Sequence, residues 1–391
     1  MRRISSITLT IVTIVLISAT AAWSSSKEKV LYSFPGGNDG DLPSSGLVVD
    51  NGGNLYGVAG GGTQNAGVVY KLTPGAGGAW TESVIYNFTG GSDGKDPMSD
   101  LVFDALGNLY GTTEFGGLGY GTVFKLAPNS DGTWTESVLY SFTGGSDGGL
   151  PRAAVIFDQG GNLYGTTSSG GSKMDLGTVF RLTLGSGGWT ESVLYSFVAS
   201  SDGYTPVAPL VFDKSGHLYG TTSLGGPNGG GVVFKLTPSS NGWKETILYG
   251  FGAGNEGVPY AGVTFHGGRL YGTVSGNGDG VGGVFELSHT TSGWTEKMLY
   301  AGGGPAAGVT FDKAGNLYST TDSGGAHRKG TVFKLTLSNG TWTESTILTF
   351  WLRRNGTYPQ SRVIIDKNGN LYGTTSLGGS YNRGSVYQVK P

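Results

Sequence analysis

Residues 28–37 read EKVLYSFPGG, and the same phrase returns with a prefix: WTESVIYNFTGG from Trp80, WTESVLYSFTGG from Trp134 and WTESVLYSFVAS from Trp189. The chain opens on the tail of its own repeat, and counting copies explains why. An apolar segment running into a turn recurs seven times, closing at Asp50, Asp104, Asp158, Asp213, His266, Asp312 and Asp366. A Leu-Tyr pair follows each, beginning at Leu55, Leu109, Leu163, Leu218, Leu270, Leu317 and Leu371. Next comes GTVFKL or a variant, with its aromatic at Tyr70, Phe124, Phe180, Phe234, Phe285, Phe333 and Tyr387. The tryptophan phrase follows only six of the seven, because after Tyr387 the chain stops at Pro391. The missing copy is the one at the N-terminus.

Successive leucines stand 54, 54, 55, 52, 47 and 54 residues apart, and a fixed period in the tens of residues decides a fold before local detail does. Each repeat holds four segments rich in Val, Leu, Thr, Tyr and Phe with Gly, Asn, Asp or Pro between them, which reads as four strands of about five to nine residues. Four antiparallel strands make a twisted blade whose two apolar faces only neighbouring blades can cover. An open stack leaves two raw ends, whereas a ring leaves none. The reading is all-β: a seven-bladed β-propeller with four antiparallel strands per blade, closed by the N-terminal strand, residues 29–34, completing the last blade. Blades are expected at about 44–88, 97–142, 151–197, 206–251, 259–301, 305–350 and 359–391 of a single domain, 23–391. A linear β-solenoid, the alternative, gives no reason for the split repeat. In WTESVLYSF the alternation of Trp, Glu, Val, Tyr and Phe with Thr, Ser, Leu and Ser predicts an outermost strand with one packed and one half-wet face.

Composition agrees. The 391 residues include 75 Gly, 12% aromatic and only 13% charged residues, with a net charge of -2. Regularly placed apolar residues exclude disorder, and the absence of any Lys/Arg cluster argues against a nucleic-acid partner. Arg2 and Arg3, an apolar run from Ile7 to Ile17 and the small residues Ala19 to Ala22 are the parts of a secretory signal peptide over residues 1–22. Export follows, to a secreted, periplasmic or cell-surface location, with no membrane contact after cleavage; a retained anchor is the competing reading. No cysteine is present, so an exported chain must hold itself by its core, and thiol catalysis and thiolate metal sites are removed.

The recurrent NLYGTTSxGGxxxxGTVFKL phrase, as in Asn162 to Leu182 or Asn370 to Val389, resembles the GloVer tandem repeat of exported bacterial "choice-of-anchor" proteins, over essentially the whole mature chain. The resemblance implies an exported, propeller-like protein, often with a C-terminal sorting tail. It brings no catalytic residues.

Repetition also separates scaffold from site, since a residue needed by every blade is structural and a site on the axis breaks the pattern. The acid turns, such as DNGGN at Asp50, read as backbone-bonding turns; as calcium loops they fall short of oxygens. The repeated Tyr, Phe and Trp read as packing between blades, with a sugar-stacking row as the alternative. The DG phrases ahead of each first strand bring Asp39, Asp41, Asp93, Asp96, Asp147 and Asp202 to one face, as a turn-forming rim or a cation-attracting ring.

The residue after each proline of these loops starts the inner strand near the axis: Ser44, Met98, Arg152, Val207, Tyr260, Ala306 and Gln360. Two further on stand Gly46, Asp100, Ala154, Pro209, Gly262, Gly308 and Arg362. Asp100, Arg152, Tyr260, Gln360 and Arg362 break the small-residue pattern and are candidates to bind a carbohydrate or small anion through forked, charge-assisted bonds. The alternative is that Asp100 and an arginine pair and plug the channel. Loops between the second and third strands add Glu114 and Phe115, Lys173 to Asp175, and His327 to Lys329.

His217, His266, His289 and His327 fall in different parts of the repeat, and no nucleophile-elbow, zinc-protease or phosphate-loop motif occurs. No cofactor is expected. A non-catalytic binding propeller, monomeric, with a small molecule, glycan or surface protein as partner, is the first reading. The second is a secreted lyase or lactonase-like hydrolase with an axial, metal-dependent site from Asp100, Glu114 and His327.

Overall fold

The computed structural model describes residues 27–171, 174–252, 257–276, 282–305, 307–351 and 354–391. Residues 1–22, read from the sequence as a signal peptide, lie outside them, as do Lys173 and Ala306. Seven antiparallel sheets follow one another along the chain. The first is built from Val48–Val49, Leu55–Ala59, Val68–Pro74 and Trp80–Asn87. The last takes Ile364–Ile365, Leu371–Thr375 and Ser385–Lys390 from one end of the chain and its outer strand, Lys27–Ser33, from the other. Among the described residues the only helical turns are Gly37–Asp39 and Ala76–Gly78.

The seams between blades show that the ring is closed. Seven apolar clusters each join two neighbours, and the one holding Tyr372 and Val386 of the last blade also holds Leu55, Val68 and Leu72 of the first. Each of Phe124, Phe180, Phe234 and Phe285 is fully buried, worth about 2–3 kcal/mol apiece. A threonine of the second strand donates to the next blade's inner backbone: Thr112 to the Ala153 carbonyl at 3.1 Å, Thr273 to Ala307 at 3.0 Å, and across the closure Thr374 to Ser45 at 2.8 Å.

Two strand expectations need correction. The inner strands pair over only two residues, or three in Thr264–His266, because upstream carbonyls such as those of Ala153 and Ser45 turn to the preceding blade's threonine instead of the ladder. The outer strands do not alternate throughout. In every one the register slips by one residue: Val138 pairs with Phe124 and Tyr140 with Val123, leaving Leu139 as a bulge. The slip lets Leu139 pack on the next blade beside Leu163. The N-terminal strand carries the same slip between Val30 and Tyr32, and its bulged Leu31 packs on the first blade.

The acid turns serve the scaffold. Asp158 accepts bonds from the Asn162 amide at 2.9 Å, the Asn162 side chain at 2.7 Å and the Tyr164 hydroxyl at 3.0 Å. His217 replaces the asparagine at Asp213. Where His266 replaces the acid, Arg269 pairs with Glu286 at 2.7 Å.

Candidate functional site

The loops leading into each blade share a face with the loops between second and third strands, because the two pair: Gly149 bridges Ser169, Tyr204 bridges Leu224 and Thr357 bridges Leu377. The residue before the proline adopts positive φ in five of them, at Leu42, Asp96, Leu150, Thr205 and Tyr358, between 49° and 57°. That conformation is costly for a non-glycine residue. It aims each N–H at a carbonyl of the preceding blade, as from Leu150 to Tyr120 at 2.8 Å and from Leu42 to Arg383 at 2.8 Å. The start of each inner strand is thereby fixed.

From there side chains alternate. Met98, Arg152, Tyr260 and Gln360 are exposed, the next residues, Ser99, Ala153 and Ser361, are buried between blades, and Arg362 is exposed again. Tyr260 is 51% accessible and Met98 42%, so Met98 joins the residues singled out from the sequence. Below this mouth the next positions touch around the ring. The Asp100 carboxylate accepts the Gly46 N–H at 2.6 Å. A Cβ at Gly262 would lie 2.5 Å from the Pro209 carbonyl, and one at Gly308 would meet the Arg362 side chain at 3.5 Å. Asp100 bridges the seam where Val58 replaces the bonding threonine, so it substitutes for the missing bond.

Arg152 is held from the neighbouring blade by Glu114, 2.5 Å away, a carboxylate only 5% exposed. At the matching position other blades carry Ser168, Ser223 and Ser376, whose hydroxyls donate to the lead-in carbonyls of Leu150, Thr205 and Tyr358. Glu114 replaces that local bond with a long-range one to the mouth. Arg362 has no hydrogen-bond or ion-pair partner among the described residues, and neither arginine pairs with Asp100. The sixth blade carries Asp322 at this same position, its carboxyl raised by burial, with bonds from Ser323 opposing; the sequence reading passed it over.

The four histidines have four different partners. His217 bonds Asp213 at 2.6 Å, His266 stacks on Phe311, His289 meets Trp294 edge-on, and His327 stacks on Trp351 with ring centroids 4.4 Å apart. Trp351 follows the outer strand Thr341–Thr349, so His327 belongs to the rim and not beside Asp100 and Glu114. Among the described residues no three potential metal ligands gather.

The rim carboxylates are engaged in turns. Asp93 accepts the Tyr86 hydroxyl at 3.1 Å and the Thr89 N–H and hydroxyl at 2.8 and 2.6 Å. Asp147 repeats the set with Tyr140 and Thr143, Asp202 bonds Tyr195, and Asp41 pairs with Arg383. Glu136, Glu191 and Glu245 on the following outer strands feel these aspartates: burial first, then Asp93, Asp147 and Asp202, push each carboxyl up to about 7.

A closed ring of seven sheets with an arginine braced at its mouth defines the class: a β-propeller with a loop-lined axial face. The chain belongs to the Gloeobacter/Verrucomicrobia repeat family, which it matches over residues 16–174, 59–285 and 279–391. Among solved structures, the extracellular domain of a putative hybrid two-component system from B. thetaiotaomicron is similar at 12% identity and TM-score 0.54; the match covers 92% of this chain but 39% of that one. A putative 6-phosphogluconolactonase from Bacteroides uniformis is similar at 15% identity and TM-score 0.53, over 84% of this chain and 89% of its own. A protein from Lactobacillus plantarum shares 16% identity at TM-score 0.50, over 77% and 83%. At these identities the likeness is one of fold. No curated protein matches the sequence, and among the described residues no helix is long and apolar enough to cross a membrane.

Proposed function

We propose that this is an exported, non-catalytic binding propeller, monomeric, whose ligand is a carbohydrate or small anion seated at the axial mouth. Export rests on the leader-like residues 1–22. The binding reading is carried by one observation: Arg152 stands at the mouth braced by the buried Glu114, at the one blade where a long acid replaces the repeat's small polar residue. A braced guanidinium keeps its remaining N–H groups aimed and loses little freedom when it takes a carboxylate. Arg362 offers a second, unengaged fork, and Tyr260 and Gln360 add a stacking ring and an amide on the same circle. Met98 gives the mouth an apolar edge, and Asp100 closes the throat beneath. The separate partners of Asp100, Glu114 and His327 favour binding over the lyase or lactonase reading.

Isothermal titration of the mature protein against uronic acids, small dicarboxylates and neutral oligosaccharides tests this. Arg152→Ala and Arg362→Ala are each expected to weaken the responding ligand ~10- to 100-fold, the worth of one charged hydrogen-bonding group. Full binding by the double variant, or silence toward every anion and sugar, would discard the axial site. Turnover that depends on an added divalent metal would favour the enzyme instead.

A further inference from the structure

The sevenfold pattern also breaks at the rim between the sixth and seventh blades, through three substitutions at one seam. The first is Arg328. Where it is described, the loop position two before the closing glycine is held at positive φ, and in five other blades it is Asn65, Gly119, Asp175, Gly229 and Asn382. Those are residue types that tolerate this conformation. An arginine there at φ 52° gains nothing for the loop, and its exposed guanidinium has no partner among the described residues.

The second is Trp351, where the other copies have Pro35, Thr89, Thr143, Val198, Gly252 and Gly303. The indole remains 55% exposed and is held in place by His327 stacked against it at 25°. The third is Asn355 in place of the rim aspartate. Its side-chain oxygen accepts the Trp351 backbone N–H at 2.6 Å, as Asp93 accepts that of Thr89, so the turn is kept without the aspartate's charge. The Asn355 amide donates to the Thr349 carbonyl at 3.3 Å and to the half-buried Glu28 carboxylate, which also feels Arg354. Lys329 lies over the Tyr358 ring at 5.6 Å, and the exposed Arg354 completes the group.

We propose that this rim is a second binding site, separate from the axial mouth, for an acidic oligosaccharide bearing carboxylate or sulfate groups. The indole supplies an apolar plane for a sugar ring, and Arg328, Arg354 and Lys329 supply forked and point donors for its anionic substituents. The neighbouring seams carry acid: Arg383 is already engaged by Asp41, and Asp39, Asp93 and Asp147 follow around the rim. A long polyanion would run into that field, so the site suits a short chain of sugars and not a nucleic acid.

Reverting the substitutions to residues found at the same place in other blades provides variants that keep the fold: Arg328→Asn, Trp351→Thr and Asn355→Asp. The probes for calorimetry on the mature protein are hexagalacturonate and a sulfated hexasaccharide, which separate the two anionic sources, with maltohexaose and a single-stranded oligonucleotide of equal charge as controls. One or both acidic sugars are expected to bind, with affinity lost at least ~10-fold in Arg328→Asn and in Trp351→Thr and unchanged in Arg152→Ala/Arg362→Ala. Failure of both acidic sugars to bind, undiminished binding by the triple revertant, or equal binding of the oligonucleotide would overturn the rim site. Loss only in the axial double variant would overturn it while leaving the axial reading standing.

Discussion

Gly165 shows how one atom is excluded by a neighbouring ring. A Cβ there would lie 2.5 Å from the Phe180 ring, and the same crowding holds at Gly111, Gly220 and Gly272. The sixth blade is the exception: Ser319 takes the place, and the preceding outer strand ends at Ala301-Gly302 where others end in phenylalanine. There Phe333 leans on Tyr300 at 35°, whereas Phe180 meets Phe142 at 66°. Gly165→Ala is therefore expected to cost ~1–3 kcal/mol in urea unfolding by overpacking. Ser319→Gly should cost under ~1.5 kcal/mol, the loss of its hydroxyl's bond to Ala307. Equal costs would refute the packing argument. The aromatic of each repeat was legible as core. The work of the Tyr164 hydroxyl on Asp158 was not, because six residues of hairpin separate them and only the folded register brings them together.

At the scale of a strand, the outer edge of the last blade depends on Lys27–Ser33. Lys29 faces Gln388, Val30 faces Tyr387 and Ser33 faces Ser385. Deleting residues 24–34 should lower the melting temperature by more than ~10 °C and expose the Ser385–Lys390 edge to aggregation. The peptide KEKVLYSF added in trans should restore much of the loss, and an unchanged melting curve on deletion would mean that the strand is ornamental. The split repeat was readable from copy number alone. The bulge was not, since WTESVLYSF alternates by letter and conceals the residue that steps out of register.

For the whole molecule, two sets of carboxyls oppose each other with pH. Burial alone would raise Asp104, Asp158, Asp312 and Asp366, but bonds from the following asparagine, the backbone and the tyrosine outweigh it and hold each below its ordinary 3.8. Their contribution is present above that value and is lost as pH falls below it. Glu82, Glu136, Glu191 and Glu245 go the other way, raised from 4.5 to about 7 by burial and then by Asp39, Asp93, Asp147 and Asp202. Their contribution is present below 4.5 and is lost as pH climbs through 7. The melting temperature should peak between these ranges and be higher at pH 5 than at pH 8. Glu82→Gln/Glu136→Gln/Glu191→Gln/Glu245→Gln should flatten the alkaline fall, whereas a wild-type curve level from pH 5 to 8 would contradict the linkage. The axial positions could be counted off from the prolines. The Glu114 brace on Arg152 could not, because its partners lie on different blades and neither belongs to a motif.

The pairing of Lys27 with Lys390 places both ends of the described chain side by side. They sit at the far end of their ladder from Ser33, whose strand runs on into the lead-in loops. Both ends of the described chain thus lie at one spot, on the side away from the mouth. Moored by either terminus to a surface, the ring would hold its arginines toward the surrounding medium, with its tether out of the way of whatever arrives.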